Sequence, residues 1–181
     1  PSRHPRLDDG TAVLPGHTAA AFRSLPEVDF PTHPRYICRL DFDEEQGVAT
    51  RLPATVGKPY PNLVSAVDRD RNEMAGIRLP DLTVPLATHT GWNTRHPDIG
   101  GMGQTIPMIG STMPFPPNQE EREAWGDPRL SIDERYASRD DYLERVRGEA
   151  HKLIDERYLL EEDLETVVEH AAERYDFFRN R

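Results

Sequence analysis

Thr88-His89-Thr90-Gly91-Trp92-Asn93 is the polar cluster that stands out in this 181-residue sequence. The imidazole of His89 has the chemistry of a general base, and the Asn93 amide and the Gly91 N–H are donors suited to a developing oxyanion. Gly91 lets the backbone approach a ligand, and Trp92 is large enough to wall a pocket. A plainer assignment competes: Trp92 anchors a core, while the threonines and Asn93 satisfy a tight irregular turn. The expectation is that His89, Thr90, Gly91, Trp92 and Asn93 line a substrate pocket, with no catalytic residue assigned to this chain.

Other combinations are weaker. His89, His96 and Asp98 have zinc-ligand types, but they lie in a Gly/Pro-rich loop with no helical or hairpin spacing to orient them. Asp68, Asp70 and Asn72 have the spacing of an early calcium loop. Glu73 stands where such a loop needs Gly, however, and Leu79 where it needs Glu, so a solvated turn is expected. Ser111 follows Gly110, yet Gly-x-Ser-x-Gly occurs nowhere in the chain. Gly100-Gly101-Met102-Gly103 lacks the Lys of a phosphate cradle and reads as a flexible loop. Cys38, the one cysteine, reads as a small buried hydrophobe beside Ile37 and Leu40. No metal and no cofactor is expected.

The elements that must position these residues divide by proline. All 17 prolines fall in the first 128 residues, which points to extended segments, turns and short strands there. Residues 1–35 read as a proline-rich extended strap and residues 36–117 as an irregular β-containing segment. Within the latter, Tyr36 to Phe42 alternates like a strand, and Asp43 to Gly47 turns. The runs Tyr60–Val67 and Ala75–Leu79 flank a polar tip as in a hairpin or a wider loop, while Leu82 to Thr88 reads as an edge strand or a buried extended segment. Residues 118–181 read as helical. Asn118 to Trp125 stops at Gly126, Ser131 and Glu134 have capping-box spacing, and Ser138 caps a longer helix. Apolar residues from Tyr142 to Tyr158 and from Leu164 to Phe178 recur at helical spacing and predict a final antiparallel pair.

Composition limits the partners. A formal net charge of −10 repels phosphate backbones, so nucleic acid is not expected. No apolar run is long enough to span a bilayer, and the start has no apolar signal region. Only 36% of residues are hydrophobic and the mean hydropathy is −0.73, which predicts a segment that folds partly by packing on something else. The absence of an initial Met fits a processed or excised piece.

Several stretches resemble the C-terminal part of a bacterial family of alpha/beta hydrolase domain proteins. They are Pro1 to Thr11, Val67 to Pro80, Val84 to Asn93, Glu121 to Ala124 with Gly126 to Arg129, and Ser131 to Tyr136. The resemblance implies a larger polypeptide whose nucleophile and triad histidine precede Pro1, with ester or acyl hydrolysis as its chemistry. The family has an aromatic residue where this chain has His89, and Gly where it has Arg71. The fold class expected is therefore α+β: an irregular proline-rich half with short strands, then a C-terminal helical hairpin, as an appendage of an α/β-hydrolase core not present in this chain. Its partners would be that core, on the same or a companion polypeptide, and the small-molecule substrate of that core. The alternative is a stand-alone, non-enzymatic binding module.

Overall fold

The structure is a computed structural model that describes residues 4–26, 28, 30–31, 37–45 and 48–180. Its strands form four two-stranded antiparallel ribbons. β1 (Ala12–Val13) pairs with β6 (Val64–Ser65), β2 (Cys38–Asp41) with β5 (Thr55–Pro59), and β3 (Glu44–Glu45) with β4 (Val48–Ala49). The fourth ribbon, β7 (Ala87–Thr90) with β8 (Ser111–Pro114), sets Thr88 opposite Met113 and His89 opposite Thr112. Tyr36, and Gln46 and Gly47 of the expected turn, lie outside the described residues.

Helix also occurs in the proline-rich half, against expectation. α1 (Pro15–Phe22) interrupts the supposed strap, and a single turn, α2 (Pro80–Thr83), replaces the start of the expected edge strand. Each opens on its proline. The first helical position has no intrahelical use for its N–H, and proline's fixed φ already suits a helix there, so proline starts helices that it could not sit within. Between Tyr60–Val67 and Ala75–Leu79 the wider loop forms and not a hairpin. β6 pairs back to β1, and only the bridge from Val67 to Glu73 closes the polar tip. Arg71 has φ +66°, a left-handed conformation that glycine adopts without strain. Arg71 holds it while its guanidinium donates to Ala21 O (3.1 Å) and Ser24 Oγ (3.0 Å), tying the tip to α1. Cys38 is half-buried on an otherwise exposed ribbon, not a core residue.

The C-terminal helices follow their sequence signals closely. Asn118 caps α3 (Gln119–Trp125), and Gly126 ends it in the left-handed conformation. Ser131 and Glu134 form a complete capping box on α4 (Ile132–Arg135), and Ser138 caps α5 (Arg139–Asp155). α6 (Leu164–Arg179) runs antiparallel to α5. Arg139 at the start of α5 pairs with Asp176 near the end of α6 (2.9 Å), and Arg147 farther along α5 pairs with Glu165 at the start of α6 (2.5 Å). Their facing stripes (Tyr142, Val146 and Ala150 against Val168, Ala171 and Tyr175) join Val84, Leu86, Ala87, Phe115 and Ile132 in one core.

A buried polar network fastens the loops to this core. Asp70 and Asn72 belong to the tip expected to be solvated, yet Asn72 is 0% exposed and Asp70 6%. The Asn72 side chain acts as an extra peptide unit along β7, donating to Ala87 O (3.0 Å) and accepting from His89 N (2.8 Å). Asp70 receives both terminal nitrogens of Arg135, at 2.8 and 2.5 Å, across 65 residues of sequence. Breaking such a pair strands a charge away from water. Asp70→Ala should therefore destabilise the fold by about 3–5 kcal/mol. The double change Asp70→Leu with Arg135→Met should recover most of that loss. Urea unfolding of the single and double variants checks both; a single-variant loss below about 1 kcal/mol would remove the network from this role.

Candidate functional site

The β7–β8 ribbon, the loop between its strands and α3 enclose a cleft of about 1220 Å³, lined in part by Trp92, Asn93, Arg95, Phe115, Trp125 and Arg129. Of the five residues expected to line a pocket, Trp92 and Asn93 do so, and His89, Thr90 and Gly91 are not part of the lining. Trp92 meets the rings of Phe22 and Phe30 edge-on, with centroids 5.2 and 5.3 Å apart. Anchor and wall are thus one residue: the contacts that dock α1 also hold the indole rigid beside the cleft. The Asn93 backbone is fixed by Ile106 N (2.8 Å), and its side-chain amide makes no hydrogen bond among the described residues.

Thr90 and Ser111 complete the turn. Thr90 Oγ1 donates to Trp92 O (2.5 Å) and accepts from Ser111 N (3.2 Å), and Ser111 Oγ donates to Trp92 O (3.1 Å). Both hydroxyls are thereby committed to backbone, as the plainer assignment anticipated. The glycine with a close-approach role is Gly110, where a Cβ would stand 2.2 Å from Thr90 O; at Gly91 a Cβ would meet nothing within 4 Å.

On the cleft floor, Arg129 donates to Asp127 through Nε (3.0 Å) and Nη2 (2.6 Å), and through Nη1 to Thr88 Oγ1 (2.9 Å) and Met113 O (3.0 Å). Thr88 Oγ1 in turn donates to Asp70 O (2.5 Å). The sequence reading missed this set. Asp127 and Arg129 appear there only within the family-resembling stretch Gly126 to Arg129, because nothing in their local pattern marks them as buried. His96 and Asp98 are exposed neighbours 3.5 Å apart. Among the described residues no group of three or more His, Cys, Asp or Glu side chains is placed to hold a metal ion.

His89 Nδ1 lies 3.3 Å from Thr112 Oγ1. Burial pushes its pKa below the ordinary 6.5; Asp81 opposes that shift, and Arg174, which is ion-paired with Asp81 at 2.7 Å, adds to it. The unfolded chain therefore takes up a proton that the folded chain resists. This contribution to stability is whole above about pH 6.5 and is lost as pH falls toward the lowered folded value. Thermal melts of His89→Gln between pH 5 and 7.5 should show a shallower fall in Tm on acidification than the parent; parallel curves would show that His89 carries no such linkage.

Among the described residues no helix is long and apolar enough to cross a membrane. No curated protein and no solved structure matches the chain. The model of a family described as the alpha/beta hydrolase domain does match, over residues 19–169, and the residues carrying that match include the whole β7–β8 ribbon, the cleft loop and the buried Asp127–Arg129 pair. The chain belongs to the alpha/beta hydrolase domain family.

Proposed function

We propose that this chain is an accessory segment of an α/β-hydrolase-family enzyme, packing on the catalytic core and bordering its substrate pocket. The observation that carries the reading is the family match over residues 19–169 of a sequence with no Gly-x-Ser-x-Gly elbow. The nucleophile would then come from the core, on the same or a companion polypeptide, and the reaction class would be ester or acyl hydrolysis of a small molecule.

The β2–β5 ribbon supports the packing half of the proposal. Leu40 and Val56 are cross-strand partners on one face, yet they are 52% and 67% exposed. A two-stranded ribbon is marginal alone in water and gains stability when an apolar face is covered. The opposing reading, a stand-alone binding module, draws support from the self-contained core running from Val84 to Phe178.

The cleft supports the pocket half, with Trp92 as its rigid apolar wall and Asn93 as an orienting amide. In the enzyme carrying the catalytic core, Asn93→Ala should raise KM by roughly 2- to 10-fold with kcat held, the loss of about one ordinary hydrogen bond. Tm should stay within about 2 °C of the parent, because the amide supports no other described residue. Unchanged KM, or parallel loss of activity and Tm, would count against the reading and favour the stand-alone module.

A further inference from the structure

Charge is nearly balanced within the cleft, with one exception. The Asp127 carboxylate is neutralised by Arg129, and the exposed Asp98 lies 3.5 Å from His96, a pair that is ionic only when the imidazole is protonated. Arg95 lines the same cleft, half-buried, and no carboxylate lies within ion-pair distance of its guanidinium among the described residues. Among the described residues its one side-chain hydrogen bond runs from Nε to Gly100 O (2.9 Å), which leaves both terminal nitrogens without a partner there.

The glycine-rich loop is shaped around this side chain. Arg95 N donates to Gln104 O (2.9 Å), Gln104 N donates to Gly101 O (3.0 Å), and Thr94 bridges Thr105, so the loop closes on itself behind Arg95. Gly101 has φ +68°, and a Cβ there would stand 3.1 Å from both Cδ and Nε of Arg95. A side chain there would press on the arginine where it lies across the loop and make it give by a few tenths of an ångström. Apolar and aromatic side chains, among them Trp92, Met113, Phe115 and Trp125, share the cleft wall with polar ones such as Asn93 and Thr112.

We propose that the cleft binds a small molecule with an apolar body and a carboxylate, and that Arg95 pairs with that carboxylate. A guanidinium with both terminal nitrogens free matches a carboxylate bidentately, and the aromatic walls take the apolar body. The proposal rests on the reading of this cleft as a substrate pocket, but its test needs no catalysis.

Both tryptophans of the chain, Trp92 and Trp125, line the cleft, so tryptophan fluorescence reports occupancy directly. The full chain would be titrated with 4-phenylbutyrate and with the uncharged 4-phenylbutan-1-ol. The carboxylate should bind about tenfold more tightly than the alcohol, the lower end of what a charge-assisted pair contributes at a half-exposed site. Arg95→Gln should abolish that preference while leaving the alcohol's Kd unchanged. Gly101→Ala, which crowds the side chain but keeps its charge, should reduce the preference. If Arg95→Gln loses both probes, Arg95→Lys decides: a retained preference for the carboxylate supports the proposal and a lost one overturns it. Equal affinities in the parent overturn the carboxylate assignment while leaving the cleft a ligand site. No response to either probe overturns the assignment and the pocket reading together.

Discussion

Phe115 and the two guanidinium groups beside it are the point on which the folded chain depends. Arg135 sits 4.0 Å and Arg129 5.1 Å from the centroid of this buried ring. Each arginine is neutralised by a buried aspartate, Asp70 and Asp127, so neither charge is left bare in a low-dielectric interior. Attraction in such pairs does little more than offset desolvation; what it supplies is discrimination, because a shifted register would leave charges unpaired. Through Thr88 and Asn72 the network also fixes β7, and the position of β7 fixes the start of the cleft loop. A short ribbon with few apolar residues thus acquires a single register from hydrogen bonds that the hydrophobic pattern alone could not impose.

The legible parts of the fold were those whose cause is local. Asn118, Ser131, Ser138 and Gly126 cap helices through atoms three or four residues away, and the stripes of α5 and α6 repeat within one element. The illegible parts have distant causes. Asp70 and Asn72 looked like a solvated turn because their partners, Arg135, Ala87 and His89, lie 15 to 65 residues downstream. α1 and α2 were hidden for another reason: proline counts as a breaker in composition but as a starter at the first helical position. Trp92 and Asn93, singled out from residue type as pocket residues, border the cleft, whereas Arg95, just before the glycine-rich stretch, was passed over.

Trp92 shows why assigning a residue to either core or site is a false choice here. A pocket wall is useful only if it keeps its place when a ligand arrives, and a surface indole on a loop would not. The edge-on contacts with Phe22 and Phe30 give the ring a fixed orientation, and the commitment of Thr90 and Ser111 to Trp92 O fixes its backbone. In the pocket we propose, ligand contact and loop packing would draw on the same rigidity, which would lower the ordering cost of binding. Asn93 is the complement: its backbone is fastened, but its amide has no duty to the fold.

The distribution of satisfied and unsatisfied surface separates two regions of the chain. From Val84 to Phe178, the buried apolar groups share one core and the buried charges are paired, while Met102, Met108, Leu160 and Phe177 face water. Around the β2–β5 ribbon, Ile37, Leu40, Val56 and Tyr60 face water. On the proposed reading, the cross-strand pair Leu40 and Val56 is a surface for contact with the catalytic core, while exposed apolar residues elsewhere, such as Leu52, Met108 and Phe177, are what an ordinary surface shows. On that reading, the chain would be held by its partner at the ribbon, away from the core that runs from Val84 to Phe178. The cleft, built on the finished end, can then keep its shape whether or not that partner is bound, because none of the bonds that hold Trp92, Asn93 and Arg95 passes through the ribbon.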